Sequence, residues 1–174
     1  ILNTANWTVG VWYALNIASG ANTVNITNTS GNTMQVSAYE YSGIATTSAL
    51  LGTNSANGYP SGGGMGSGSV TITQPALLFT TVGTNTTIES AATVSGYTML
   101  QKNTLQYPRN INAMLVQNTS GTWTAAWTGL NNSNNTTITI MALAAASSSP
   151  QTADLMQYKA PLGTVLSKVD SNGV

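Results

Sequence analysis

Thr136-Thr137-Ile138-Thr139-Ile140-Met141-Ala142-Leu143 is the stretch that decides the fold of this chain. Threonine and isoleucine are branched at Cβ, which restricts them in a helix and suits them to a pleated surface, so the run predicts a central β-strand. Leu130 to Asn135 is the loop that returns the chain into it. Before that loop, Ile111, Ala113 and Leu115 lead into Asn118-Thr119-Ser120-Gly121, and Trp123, Ala125 and Trp127 lead out. Alternation on both sides of a turn sequence predicts a hairpin.

The same period of two runs through most of the chain. Trp7, Val9, Val11, Tyr13, Leu15 and Ile17 alternate with Thr8, Gly10, Trp12, Ala14 and Asn16, predicting a half-buried strand. Val24 and Ile26, then Asn28-Thr29-Ser30-Gly31-Asn32, then Met34, Val36 and Ala38 predict a second hairpin. Further strands are expected over residues 70–73, 76–82, 87–93 and 96–100, and Asp154 to Tyr158 is the one stretch that reads as a helical turn. The run Ser61-Gly62-Gly63-Gly64-Met65-Gly66-Ser67-Gly68 has neither the lysine nor the following helix of a phosphate-binding loop, and reads as a flexible connection. Many short strands with closely spaced turns predict an all-β, jelly-roll-like β-sandwich.

Composition narrows the function classes. The chain has four basic and four acidic residues in 174, no histidine and no cysteine, where a soluble domain takes about a quarter of its residues from the charged set. A Ser/His/Asp site, a thiol nucleophile and a thiolate metal site are thereby excluded, and no cofactor is expected apart from N-linked glycans. Zero net charge argues against nucleic acid as a partner, because phosphates are neutralised by Lys and Arg. No apolar stretch approaches the roughly 20 residues that span a bilayer, and no signal-peptide pattern opens the chain. Beginning at Ile1, it reads as a processed product or an excerpt of a longer one. The neutral hydroxyl and amide surface points to an extracellular or cell-surface location.

Asn-x-Ser/Thr sequons are the densest motif: Asn6, Asn25, Asn28, Asn85, Asn118, Asn131, Asn134 and Asn135 are N-glycosylation candidates. Turn chemistry alone also explains Asn, Ser and Thr in such loops. Two carboxylates on one face would be needed for glycoside hydrolysis. Glu40, Glu89, Asp154 and Asp170 stand in unrelated contexts. Glu40 is in phase with Met34, Val36 and Ala38 and is expected to point inward, paired with Arg109 or Lys102. Among the tryptophans, Trp12 is out of phase with its apolar neighbours, which marks it for an interface or for stacking on a sugar.

Trp12-Tyr13-Ala14-Leu15-Asn16-Ile17-Ala18-Ser19-Gly20-Ala21-Asn22-Thr23-Val24, followed by Ala38-Tyr39-Glu40-Tyr41-Ser42-Gly43, resembles a β-sandwich domain of secreted surface proteins. The resemblance covers about the first 45 residues best and weakens towards Ala146; it implies a binding or structural module without catalytic residues. In that family a segment of the form Val-x-Ser-x-x-Asp-x-Asn-Gly precedes the Trp-Tyr-Ala strand. Here only Ile1 to Asn6 precede it, while Val165-Leu166-Ser167-Lys168-Val169-Asp170-Ser171-Asn172-Gly173-Val174 at the other end resembles the missing segment. The chain thus divides into a sandwich domain over 1–149 and a tail over 150–174, which holds Asp154, Lys159, Lys168 and Asp170.

Three arrangements fit: a circular permutation, an excerpt from a tandem array, or a tail that completes the next subunit by strand addition. The third is similar to the subunits of archaeal extracellular threads and bundling pili, which are joined by donor strands. It implies a terminal strand exchanged between subunits, with Val165, Leu166, Val169, Asp170 and Trp12 as interface candidates and copies of the same chain as partners. Exchange through the N-terminal residues is the variant of this arrangement. A secreted adhesin or carbohydrate-binding module, with glycans or other cells as partners, is the alternative.

Overall fold

The computed structural model describes residues 2–3, 8–29, 33–84, 91–103, 109–133, 135–147, 156–159 and 165–169. Among them are twelve strands and no helix: β1 (Leu2–Asn3), β2 (Thr8–Val9), β3 (Leu50–Gly58), β4 (Met65–Ile72), β5 (Ala76–Thr84), β6 (Thr93–Val94), β7 (Thr98–Asn103), β8 (Arg109–Gln117), β9 (Gly121–Thr128), β10 (Thr136–Ala144), β11 (Met156–Lys159) and β12 (Val165–Val169). A five-stranded sheet in the order β3-β10-β5-β8-β7 packs on a three-stranded sheet in the order β4-β9-β6, and all pairings are antiparallel. The chain changes sheet at every step from β3 to β10 except β7 to β8, the kind of crossing expected of a jelly-roll-like sandwich.

The strand over 136–143 is central, as its β-branching predicts. β10 lies between β3 and β5, and its side chains alternate between two buried layers. Ile138, Ile140 and Ala142 face the three-stranded sheet together with Leu78 and Val82 of β5 and Ile111 and Ala113 of β8. Trp127 enters this core from β9, and its indole N–H donates to the Thr80 hydroxyl at 3.1 Å. Both groups are fully buried, so the bond satisfies two polar atoms that water cannot reach.

The opposite face of the same sheet is also covered. Phe79, Met141 and Leu143 form a second cluster with Ala49, against which Val11, Leu15, Tyr39, Ile44, Ala45 and Leu100 pack. Every residue of β5 is therefore buried, which explains an almost unbroken apolar and threonine sequence rather than a half-polar alternation. The covering layer is made by residues 8–29 and 33–49, most of which form no strand.

Several sequence expectations are corrected here. Of the alternating N-terminal series only Thr8–Val9 is a strand, paired with Leu2–Asn3, and Trp7 lies outside the described residues. Asn16 takes a left-handed φ of 56° and donates its side-chain amide to the Thr46 carbonyl, which breaks the alternation: Leu15 packs inward while Tyr13 and Ile17 are exposed. Val24, Ile26, Met34, Val36 and Ala38 are in no strand either. Strands β8 and β9 exist, but they are not a hairpin: the 118–120 connection carries the chain from the large sheet to the small one. Turn residues specify a reversal, and both a hairpin and a crossing between sheets use one.

The glycine-rich run is partly strand, since Met65 to Gly68 belong to β4. A bulge lies between Gly66 and Ser69, where Gly68 has φ of 76° and a Cβ there would lie 2.7 Å from the Asn54 side chain. The bulge turns Ser67 inward, and its hydroxyl accepts from the Ala125 N–H at 3.0 Å. Met156–Lys159 is strand rather than the expected helical turn. Of the strand expected over 87–93, residues 87–90 lie outside the described set, Ala91 and Ala92 form no strand, and Thr93 begins β6.

The Trp127–Thr80 bond yields a stability prediction. Trp127→Phe keeps most of the apolar volume but leaves the Thr80 hydroxyl buried and unpaired, a loss of about 1–3 kcal/mol in urea unfolding. Adding Thr80→Val should recover part of that loss.

Candidate assembly interface

Residues 33–41 form no strand, with Ser37, Tyr39 and Tyr41 half-buried and Met34, Val36, Ala38 and Glu40 exposed. The phase is opposite to the sequence expectation, so Glu40 points to solvent and is no buried partner of Arg109 or Lys102. The reason is Tyr39. Its ring packs 5.8 Å from Phe79, and its hydroxyl accepts from the Asn112 amide at 3.1 Å and donates to Gln101 Oε1 at 3.3 Å. Asn110 similarly donates to the Ser37 hydroxyl at 3.1 Å. Large aromatics with a polar tip outcompete Val36 and Ala38 for a surface that presents Asn and Gln.

Side chains alone hold this segment. Among the described residues, the backbone of 10–27 and 33–42 forms no backbone–backbone hydrogen bond. Its apolar side chains are also left open: Trp12 is 75% exposed, and Tyr13, Ile17, Val24, Ile26, Met34 and Val36 are exposed with it. The Trp12 ring folds back over Gly10, where a Cβ would collide with it. Backbone outside any strand ladder, with exposed apolar side chains beside it, is a template for pairing with another chain.

A second opening lies at one side of the sandwich. β9 is paired with β4 along most of its length, but on its other edge β6 reaches only Thr128 and Trp127. Tyr97, Met99, Leu115 and Trp123 pack on the core, each only partly buried. The Tyr97 hydroxyl and the Trp123 indole N–H are buried without a partner. Burial pushes the Tyr97 hydroxyl up to about 12.

The remaining candidates are distributed. Asn25, Asn28 and Asn118 are exposed, whereas Asn131 and Asn135 are half-buried; Asn6, Asn85 and Asn134 lie outside the described residues. Of the tail, β11 and β12 pair antiparallel with each other, Met156 opposite Val169, and with no strand of the sandwich. Val165, Leu166 and Val169 are thus on β12, while Asp170, like Glu89 and Asp154, is outside the described set. Two shallow clefts of about 80 and 140 Å³ lie under the N-terminal layer, the first lined by Val9, Val11 and Thr53, the second by Tyr41, Pro75 and Met114. Neither is lined by a carboxylate. The described residues hold no group of His, Cys, Asp and Glu arranged for a metal and no helix long and apolar enough to cross a membrane.

The exposure of Trp12 follows the phase read from the sequence, whereas the partnerless hydroxyl of Tyr97 carries no sequence signal. No protein family, curated protein or solved structure matches the chain.

Tyr97 sets an alkaline limit on stability. Below its ordinary value of 10.0 the hydroxyl is neutral folded or unfolded, and contributes no pH dependence. Above 10.0 the unfolded chain releases the proton while the folded one keeps it to about 12, so stability falls across that window. Tyr41, raised by burial and by neighbouring Tyr39, acts in the same direction. Urea midpoints should decline across this range, and Tyr97→Phe should reduce the decline.

Proposed function

We propose that this chain is a structural subunit of an extracellular filament, a pilus or thread, whose units are joined by exchange of a β-strand. The observation that carries the reading is that, among the described residues, the backbone of 10–27 and 33–42 joins no strand ladder while a row of apolar side chains there is exposed. A stable monomer gains nothing from that exposure, and apolar surface on this scale marks an interaction site. The tail supports it, since β11 and β12 are strands outside both sheets of the sandwich. Strand exchange of this heterologous kind propagates into a fibre unless it closes.

The neutral surface suits such an assembly. Four acidic and four basic residues leave little repulsion between identical subunits and little to titrate in mildly acidic surroundings. Exposed Asn25, Asn28 and Asn118 are the sites at which N-glycans would cover the outer surface. A secreted glycan-binding adhesin is the second reading, favoured by the single observation that Trp12 presents its ring to solvent.

Electron microscopy with size-exclusion chromatography separates the two. The full chain should form concentration-dependent filaments, and deletion of residues 150–174 should leave a folded, shorter-lived or monomeric species. A monodisperse full-length monomer that binds glycans through Trp12 would replace the filament reading with the adhesin.

A further inference from the structure

We propose that the edge of β9 over residues 121–126 is the acceptor for β12 of a second copy of this chain; the assignment rests on the filament reading above. The side of the sandwich between β9 and β7 is a notch. In the small sheet, β6 is two residues long, and among the described residues no strand pairs with Gly121 to Ala126 on that edge of β9. In the large sheet, β7 pairs with β8 only from Asn110 to Met114 and leaves Leu115 to Gln117 unpaired on that side. Both sheets therefore stop short at the same end, next to the 118–120 connection.

The edge is open for hydrogen bonding. The Ala125 N–H is directed to Ser67 on β4, and backbone groups alternate in direction along a strand, so those of Thr122, Thr124 and Ala126 are directed into the notch. None of the devices that blunt an edge is present on residues 121–126: no charge, no proline, and a bulge only in the partner β4. The other edges are guarded. β7 carries Lys102 and a bulge between Met99 and Gln101, and at the β3 and β4 side the Asn54 amide donates to the Ser69 carbonyl at 2.8 Å.

Chemistry and length select the occupant. Beside these short ends Met99 and Leu115 pack on the core and are only partly buried. A matching strand brings apolar residues to cover them. The segment Val165-Leu166-Ser167-Lys168-Val169 supplies three apolar residues in five. The run Gly121 to Ala126 extends about 20 Å and the five residues of β12 about 17 Å at the rise of a strand. Among the described residues β12 pairs with β11 and with no strand of the sandwich, so insertion exchanges that short hairpin for a full edge of the neighbour's sheet.

The absence of cysteine makes the test clean. Thr122→Cys, Thr124→Cys and Ala126→Cys variants are each mixed in denaturant with Lys168→Cys, refolded together and oxidised, with Asn57→Cys on β3 as the control position. All these side chains on β9 are exposed, so the substitutions spare the core. A disulfide-linked dimer at least about tenfold more abundant for one β9 position than for Asn57→Cys is expected, since opposed residues on neighbouring strands have Cβ atoms about 4.5–5.5 Å apart. Filaments without a β9 cross-link would overturn the acceptor assignment and leave the filament reading standing. A monomer-sized, internally linked product from the Thr124→Cys/Lys168→Cys double variant would show that the tail fills its own notch. No assembly at all would remove both.

Discussion

The β5–β10 pair is buried on both faces, and the rest of the structure follows from covering it. One face takes the three-stranded sheet, sealed by the Trp127 side chain and its bond to Thr80. The other takes the N-terminal layer, held by Tyr39 on Phe79 and by the amides of Asn110 and Asn112. A sheet wrapped in this way needs side chains that are compact and neutral. Threonine meets that need at Thr80, Thr81, Thr84, Thr136 and Thr137, all buried, where a charge would cost several kcal/mol.

The same neutrality continues at the surface as hydroxyl pairs instead of ion pairs. On the outer face of the small sheet, Thr71 meets Thr122 at 3.1 Å, Ser69 meets Thr124 at 2.9 Å and Thr93 meets Thr128 at 3.3 Å. Each pair joins neighbouring strands across the sheet and is indifferent to pH and salt over the ordinary range. The scarcity of charge is thus a structural property of the sandwich before it is a clue to its surroundings. It also means that repulsion does not protect open edges from other copies.

The elements that were legible in the sequence are those whose pattern is local. The β-branched run of β10, the apolar β5 and the alternation of β8 and β9 each specify a strand without reference to a partner. Which strands pair was not legible, because the crossing at 118–120 and a hairpin use the same turn residues. The inversion of residues 33–41 was hidden for a similar reason: Val36 and Tyr39 are both apolar enough to face inward, and the amides waiting on β7 and β8 decide in favour of tyrosine. The exposure of Trp12 was legible from its phase. The open edge of β9 was not, since a missing neighbour leaves no mark on the strand that lacks it.

In the proposed filament, two stretches of backbone, the β9 edge and β12, complete each other's hydrogen bonds. Amide hydrogen exchange measured on dilute monomer and on assembled protein tests this most directly. The amides of Thr122, Thr124 and Ala126 should exchange rapidly in the monomer and at least about a hundredfold more slowly in the assembly, together with those of Val165 to Val169. Equal protection of both segments in monomer and assembly would contradict strand exchange at this edge.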